Sequence, residues 1–426
     1  MIGESICSSA SIPRSRCQIA ASRRILVCPD ALKETADARA ASDAIASGVR
    51  DAIPDAIITC MPLADGGEGT LDVLASTMSE LAIERAVVPG PRPDRDPVEA
   101  GFGVDVATGR AVVELAEAAG LARLAPEDRD PERTGTAGAG RLLDLARGRL
   151  VDGRQGDGED RDGLDGGGGG GGGARRSREI VLALGGSGTV DGGLGAIRAL
   201  GVEVVGPAGD PGRPLVGGDL ASVRDLRVPD DVRDRWAGVR LRVLADVCNP
   251  LAGPTGAARI FAPQKGASPA AVERLEAGLV RWGELLATRF GVDPGRPGAG
   301  AAGGVGLALA AVLGATIEPG FDVVASLVGL DAAIAASDVV ITSEGRLDRQ
   351  SLMGKVIGGV LERAGRHGVP VVAVPGGVEA ALPEEIRRRF AGIRSLESMV
   401  GPAAARRRPL EALRLAAASA CRDLVD

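Results

Sequence analysis

The 426-residue sequence predicts an α/β protein built on parallel sheet, and three observations carry that expectation. From Arg24 onward, short β-type apolar runs alternate with helix-length stretches, the pattern of parallel strands covered by helices. Several of those runs empty directly into glycine-rich loops, and the carboxyl ends of strands are where open parallel sheets take ligands. The last third of the chain has the same α/β character as the first. The two ends are therefore expected to share one doubly wound, Rossmann-like sheet, with a second α/β domain inserted between them.

Residues 1–22 carry Ser, Cys, Arg and Ala without periodicity and without the apolar core of a secretory signal, so they read as a disordered N-terminal extension. The first piece of the split domain is expected over 23–88. It holds the strand ILVCPD, a helix from about Asp37 to Arg50, the strand IITCMPL, and a helix after Gly69. The Pro/Gly passage PGPRPDRDP at 89–97 is read as the first boundary. The inserted domain, 89–296, contains a helix ending near Arg149 and the strand EIVLAL. Between these lies 152–178, a charged tract with eight consecutive glycines that offers too little apolar surface to offset its ordering entropy. It is expected to be a disordered loop tolerated as an insertion, since loop-closure entropy grows slowly with length. DPGRP at 293–297 is read as the second boundary. The remaining piece, 297–426, carries a Gly/Ala helix, the strand SDVVIT, a helix over about 354–365, the strand VPVVAV and a terminal helix from about Pro409.

Composition removes several classes of function. A net charge of −7, with 2% aromatic residues and no tyrosine, argues against a nucleic-acid groove or a base-stacking platform. The weakly polar stretch 305–317 is too short to span a bilayer and is broken by glycines. Six scattered cysteines without a C-x-x-C pair fit a reducing, cytoplasmic setting. The single histidine, His367, reads as a turn residue. It excludes histidine-based nucleophilic triads and most zinc sites, which leaves the chemistry to carboxylates, cations and backbone dipoles.

Six segments can carry such chemistry. ADGGEGT at 64–70 follows a strand and precedes a helix; Gly66 and Gly67 allow close backbone approach, while Asp65 and Glu68 add negative charge suited to a metal or a hydroxylated substrate. A plainer reading makes Asp65 a helix N-cap and Glu68 the far side of a capping box. PDALKE delivers Asp30, Lys33 and Glu34 off a strand end. GGSGTVDGG at 185–193 follows a buried-type strand, and its Gly186, Ser187 and Thr189 suit phosphate, while Asp191 can hold a cation or accept a proton. Asp246 and Asn249 offer oxygens of the sort Mg²⁺ prefers, and Arg259 and Lys265 suit phosphate or carboxylate. GAGAAGG at 298–304 formally matches G-x-G-x-x-G but does not follow a strand, so it is read as a helix start facing an anion through Gly300 and Gly303. ITSEGRLDRQSLMGK places Glu344, Arg346, Asp348 and Lys355 after a strand, without a Walker A pattern.

Taken in order, PDALKE, PLADGGEGT, GGSGTVDGG, ADVCNPLAGPTGAARIFAPQKGA, GAGAAGG and ITSEGRLDRQSLMGK resemble the bacterial glycerate kinase family of glyoxylate and glucarate breakdown, from about Arg24 to beyond Pro375. The resemblance implies ATP-dependent phosphorylation of D-glycerate, usually at the 2-hydroxyl, on a two-domain α/β fold with the active site in the cleft. Two positions depart from the family pattern: Ser343 stands where glycine is usual, and Arg141 replaces an acid in TAGAGRLL. Phosphoryl transfer needs an aligned hydroxyl and cations to absorb charge. Asp191 or Asp65 is expected to take the proton, and Asp246 with Asn249 to hold Mg²⁺. Lys33, Lys265 or Lys355 would meet phosphate oxygens, and Arg259 or Arg346 the glycerate carboxylate. No nucleic-acid or membrane partner is expected, and the chain is expected to act as a monomer or homodimer. The alternatives are an NAD-linked hydroxy-acid dehydrogenase, which lacks its fingerprint here, and a sugar-acid-sensing regulator without turnover.

Overall fold

The structure is a computed structural model and describes residues 23–32, 35–152, 178–207, 212–349, 351 and 355–425. The expected N-terminal extension, Lys33, Glu34 and nearly all of the glycine-rich tract lie outside the described residues.

The strands in chain order are β1 (Arg24–Val27), β2 (Ile57–Cys60), β3 (Ala82–Val88), β4 (Val98–Asp105), β5 (Arg110–Glu114), β6 (Arg178–Ala183), β7 (Glu203–Val205), β8 (Asp225–Arg227), β9 (Val239–Ala245), β10 (Thr316–Pro319), β11 (Val339–Thr342), β12 (Arg346–Leu347), β13 (Val371–Ala373), β14 (Gly377–Val378) and β15 (Gly392–Ile393). One sheet has the order β15-β13-β11-β1-β2 and is parallel throughout. Its central strands RILV, VVIT and VVA are short apolar runs, because helices bury both faces. On one face the helix Ala38–Ala52 packs with the C-terminal helix Pro409–Val425 through Ile45, Val49, Leu413 and Ala416. The other face is covered by Val356–His367 and its neighbours through Phe321, Ile357 and Val360. This sheet joins strands from both ends of the chain.

The second sheet has the order β10-β9-β6-β5-β4-β3 and is mixed: β10, β9, β6 and β5 run parallel, and β4 and β3 add antiparallel pairs. Its membership corrects both expected boundaries. PGPRPDRDP is the connection of the antiparallel β3–β4 pair, so β3 belongs with the second sheet. The chain beyond DPGRP continues through the helix Val305–Leu313 into β10, which pairs with β9. Proline and glycine break helices and strands equally well inside a domain and between domains, which is why composition misplaced these points. The sheets are joined by a shared apolar cluster in which Leu71, Leu74, Val323 and Val324 pack on Val112, Val181 and Leu244. Among the described residues no helix is long and apolar enough to cross a membrane.

Candidate active site

The carboxyl ends of the two sheets meet at the loop after β2. Gly185, which follows β6, donates its N–H to the Gly66 carbonyl at 3.1 Å. A Cβ on Gly185 would lie 2.2 Å from the Gly67 Cα, so the contact of these two loops requires glycine there. Gly66 also packs against Leu244 and Gly320 at the ends of β9 and β10. On the other side, Asp30 after β1 donates its N–H to the Ser343 carbonyl after β11, at 2.8 Å. Glycine-rich and acidic segments from both sheets therefore form one junction.

Within it, half-buried Asp65 accepts the Gly67 N–H at 3.1 Å, and Glu68 is exposed beside exposed Gly186. Neither acid caps the following helix. The N-cap of Thr70–Thr77 is Gly69, in the left-handed region, and the capping acceptor is Glu114 at the end of β5. Its carboxylate takes the N–H groups of Gly69 at 2.9 Å and Leu71 at 3.1 Å. The capping-box reading of Asp65 and Glu68 is thereby overturned. Burial pushes Glu114 up to about 7, the two backbone N–H groups oppose that rise, and Glu117 and Glu68 add to it. Sequence reasoning missed Glu114, although an acid closing the apolar run AVVE at a parallel strand's carboxyl end is itself a signal.

The β11 segment contributes a second buried acid. Glu344 is 5% exposed, and its Oε1 is buried with no hydrogen-bond partner among the described residues. Burial raises its pKa to about 7; a hydrogen bond from the Ser351 side chain to the carboxylate and the Lys355 charge work against that rise, and Asp348 and Asp65 add to it. Asp348 accepts the Ser351 N–H at 2.8 Å, and the Ser351 hydroxyl, with one proton to give, lies 3.0 Å from both the Asp348 carboxylate and the Arg346 carbonyl. The Arg346 side chain is exposed, and its guanidinium makes no ion pair with any described residue. Ser343 is fully buried and donates to the Val374 carbonyl at 2.7 Å, so its hydroxyl is absorbed by the fold.

The GGSGTVDGG loop behaves differently. Asp191 is wholly enclosed and accepts four hydrogen bonds: Thr136 N–H at 2.9 Å, Thr136 hydroxyl at 2.7 Å, Gly195 N–H at 3.0 Å and Gly193 N–H at 3.0 Å. Burial raises its pKa while these donors hold it down. Lys265, buried alongside, donates to the Ser187 hydroxyl and the Thr189 carbonyl, both at 2.8 Å. Desolvation lowers Lys265 to about 7, and Asp191 works in the opposite direction. The Thr189 hydroxyl is buried without a partner among the described residues. GAGAAGG lies beneath this loop, and the N–H groups of Gly300 and Gly303, expected to meet an anion, are committed to backbone: Gly300 to the Asn249 carbonyl and Gly303 to the Gly300 carbonyl. Gly303 has a positive φ of 70°, and a Cβ there would lie 2.5 Å from the Val190 Cα, so its glycine serves close packing.

Of the remaining expected residues, Asp246 is exposed after β9, and the Asn249 amide donates to the Thr255 carbonyl at 2.7 Å. Arg259 pairs bidentately with Glu273 at 2.6 and 2.9 Å. Arg141 is half exposed on the helix Ala137–Asp152, within 3.9 Å of Asp144. Among the described residues no three His, Cys, Asp or Glu side chains form a metal-ligand group. One or two carboxylates plus substrate phosphates is the usual provision for Mg²⁺, and Asp246 and Asn249 bring one carboxylate and one amide oxygen to the loop after β9.

Parallel sheets whose carboxyl ends gather glycine loops, buried acids and lysines around one junction define an α/β enzyme acting on a small polar molecule. The chain belongs to the glycerate kinase family, whose model matches residues 25–153 and 172–424 and leaves out most of the glycine-rich tract. It is 36% identical over 382 residues to a glycerate kinase of Halalkalibacterium halodurans, covering 88% of this chain and 92% of that one. It is 36% identical over 354 residues to the glycerate 2-kinase of Escherichia coli, covering 83% and 85%. A crystal structure from Salmonella typhimurium LT2, assigned provisionally as glycerate kinase 2, superposes with a TM-score of 0.74 at 32% identity, over 95% of this chain and 98% of that one.

Proposed function

We infer that this chain phosphorylates D-glycerate with ATP and Mg²⁺, at the 2-hydroxyl, in a cleft between two α/β domains of a cytoplasmic monomer or homodimer. The observation that supports this most is the junction of the two sheets, where Asp65, Glu344, Asp348 and Lys355 interact electrostatically inside a chain of the glycerate kinase family. The E. coli relative named as a 2-kinase supports the choice of hydroxyl.

In this reading Asp246 and Asn249 hold the metal, which screens phosphate charge when bound. Lys355 and, from the sequence, Lys33 meet phosphate oxygens, and Arg346 takes the glycerate carboxylate. Asp65 is the charge that faces the substrate, with Glu344 and Asp348 beside it. Asp191 moves from the role of base to that of a positioning residue, because its acceptors are committed to Thr136, Gly193 and Gly195. Lys265 and Ser187 shape the same loop, with Gly66, Gly67 and Gly186 supplying backbone at the mouth. A coupled ADP-release assay tests the function: D-glycerate with ATP and Mg²⁺ gives turnover, and neither NAD nor NADP replaces ATP. No turnover with D-glycerate or any other small hydroxy acid would overturn it.

A further inference from the structure

We propose that Glu344 is the catalytic residue that accepts the substrate's hydroxyl proton, through the carboxylate oxygen that is buried and without a hydrogen-bond partner among the described residues. The proposal rests on the glycerate kinase reading and assigns a step within it.

The argument begins with an orphaned acceptor. A buried carboxylate oxygen without a donor forfeits its hydration with nothing in return, so native proteins rarely keep one without a use. Glu344 Oε1 is such an atom; so is Glu276 Oε2, but Glu276 sits on the helix Pro269–Phe290 and not at the carboxyl end of a strand. Asp191, the other buried acid that follows a strand of the junction, has both oxygens occupied by fixed donors. Glu114 spends its carboxylate on Gly69 and Leu71. Asp65 already accepts from Gly67. Glu344 follows the carboxyl end of β11, and it feels charges from three separate elements: Lys355 at the start of the helix Val356–His367, Asp348 after β12, and Asp65 after β2. A bound hydroxyl would supply the missing donor.

The step balances on the groups named. The hydroxyl O–H bond breaks and its proton passes to Glu344 Oε1 as the hydroxyl oxygen bonds to the γ-phosphorus. The bridging P–O bond of ATP breaks and ADP leaves with that electron pair. A base serves best when its pKa lies near the working pH, and burial together with Asp65 and Asp348 brings Glu344 to about 7, against the pull of Lys355 and Ser351. The rate should therefore rise as pH climbs through about 7 and then level off.

The test compares the full-length wild type with Glu344→Gln, recording kcat and KM for D-glycerate against pH. A loss of roughly 10²-fold or more in kcat, with KM and melting temperature retained and the acid limb gone, is the expected result. An active wild type whose Glu344→Gln variant keeps both rate and acid limb overturns the proposal alone. A wild type that releases no ADP from D-glycerate at any pH overturns the underlying reading and the proposal with it. If the variant fails to fold, the wild-type profile carries the test, and a flat kcat between about pH 5.5 and about 8 overturns the assignment.

Discussion

Asp191 and Glu344 are both buried acids placed after parallel strands, one in each sheet, yet the fold treats them in opposite ways. Around Asp191, four donors from Thr136, Gly193 and Gly195 close on the carboxylate, Gly303 packs beneath Val190, and the Trp282 indole donates to the Gly192 carbonyl at 2.9 Å. Around Glu344 the Ser351 side chain is a donor, yet Oε1 has no partner among the described residues, and Asp65, Asp348 and Lys355 interact with the carboxylate electrostatically. The first region spends its charge on holding backbone in place. The second keeps charge in reserve beside the junction, which is where a reaction can use it. Burial alone does not separate the two kinds of acid; the count of committed acceptors does.

Glycine replacements break this comparison most sharply. Gly303→Ala forces a Cβ against the Val190 backbone at a positive φ and should destabilise the protein by roughly 3 kcal/mol, read as a lower melting temperature. Gly185→Ala separates the loops of the two sheets at the Gly67 contact. It should lower kcat/KM by roughly 10²-fold, because small misplacements of reacting groups are costly. Equal effects of both changes on rate and stability would erase the distinction.

Glu114 sharpens the comparison through pH. Its folded pKa of about 7 lies above the ordinary 4.5, so the stability linked to its proton is fully present below about 4.5 and is lost as pH rises through about 7. Glu344 adds a slope of the same sign. Denaturant titrations from acid to neutral pH should show stability falling for the wild type and falling less steeply for Glu114→Gln. An unchanged slope would mean that Glu114 does not titrate there. The smallest effect belongs to the glycine-rich tract. Deleting residues 156–173, nearly all outside the family match, should leave activity within about twofold and the melting temperature nearly unchanged.

Much of the frame was legible in the sequence, because short apolar runs that feed glycine loops and alternate with helix-length stretches are the pattern of buried parallel strands. The strands at Arg24–Val27, Ile57–Cys60, Arg178–Ala183 and Val339–Thr342, and the helices Ala38–Ala52 and Pro409–Val425, fall where periodicity and turn residues place them. The sharing of one sheet by both ends of the chain was legible too, from the repeated α/β pattern. The commitment of each acid was not. Asp191 is held by Thr136, 55 residues earlier, and Glu114 caps a helix 43 to 45 residues before it. Such partners are set by sheet order, which no local motif contains. Arg259 likewise looked available until the helix Pro269–Phe290 brought Glu273 to it.

The most direct measurement sets Asp65→Asn beside Asp191→Asn, with steady-state ADP release from D-glycerate and thermal melting recorded on the same preparations. Asn at 65 keeps an acceptor for the Gly67 N–H but loses the charge, so kcat should fall roughly 10²-fold with melting unchanged. Asn at 191 turns its NH₂ toward at least one buried N–H in either orientation and should cost roughly 1–3 kcal/mol of stability. Whatever Asp191→Asn remains folded should turn over at a near-normal rate. The reverse pattern, with Asp191→Asn folded but inactive and Asp65→Asn fully active, would contradict the assignment of the two regions.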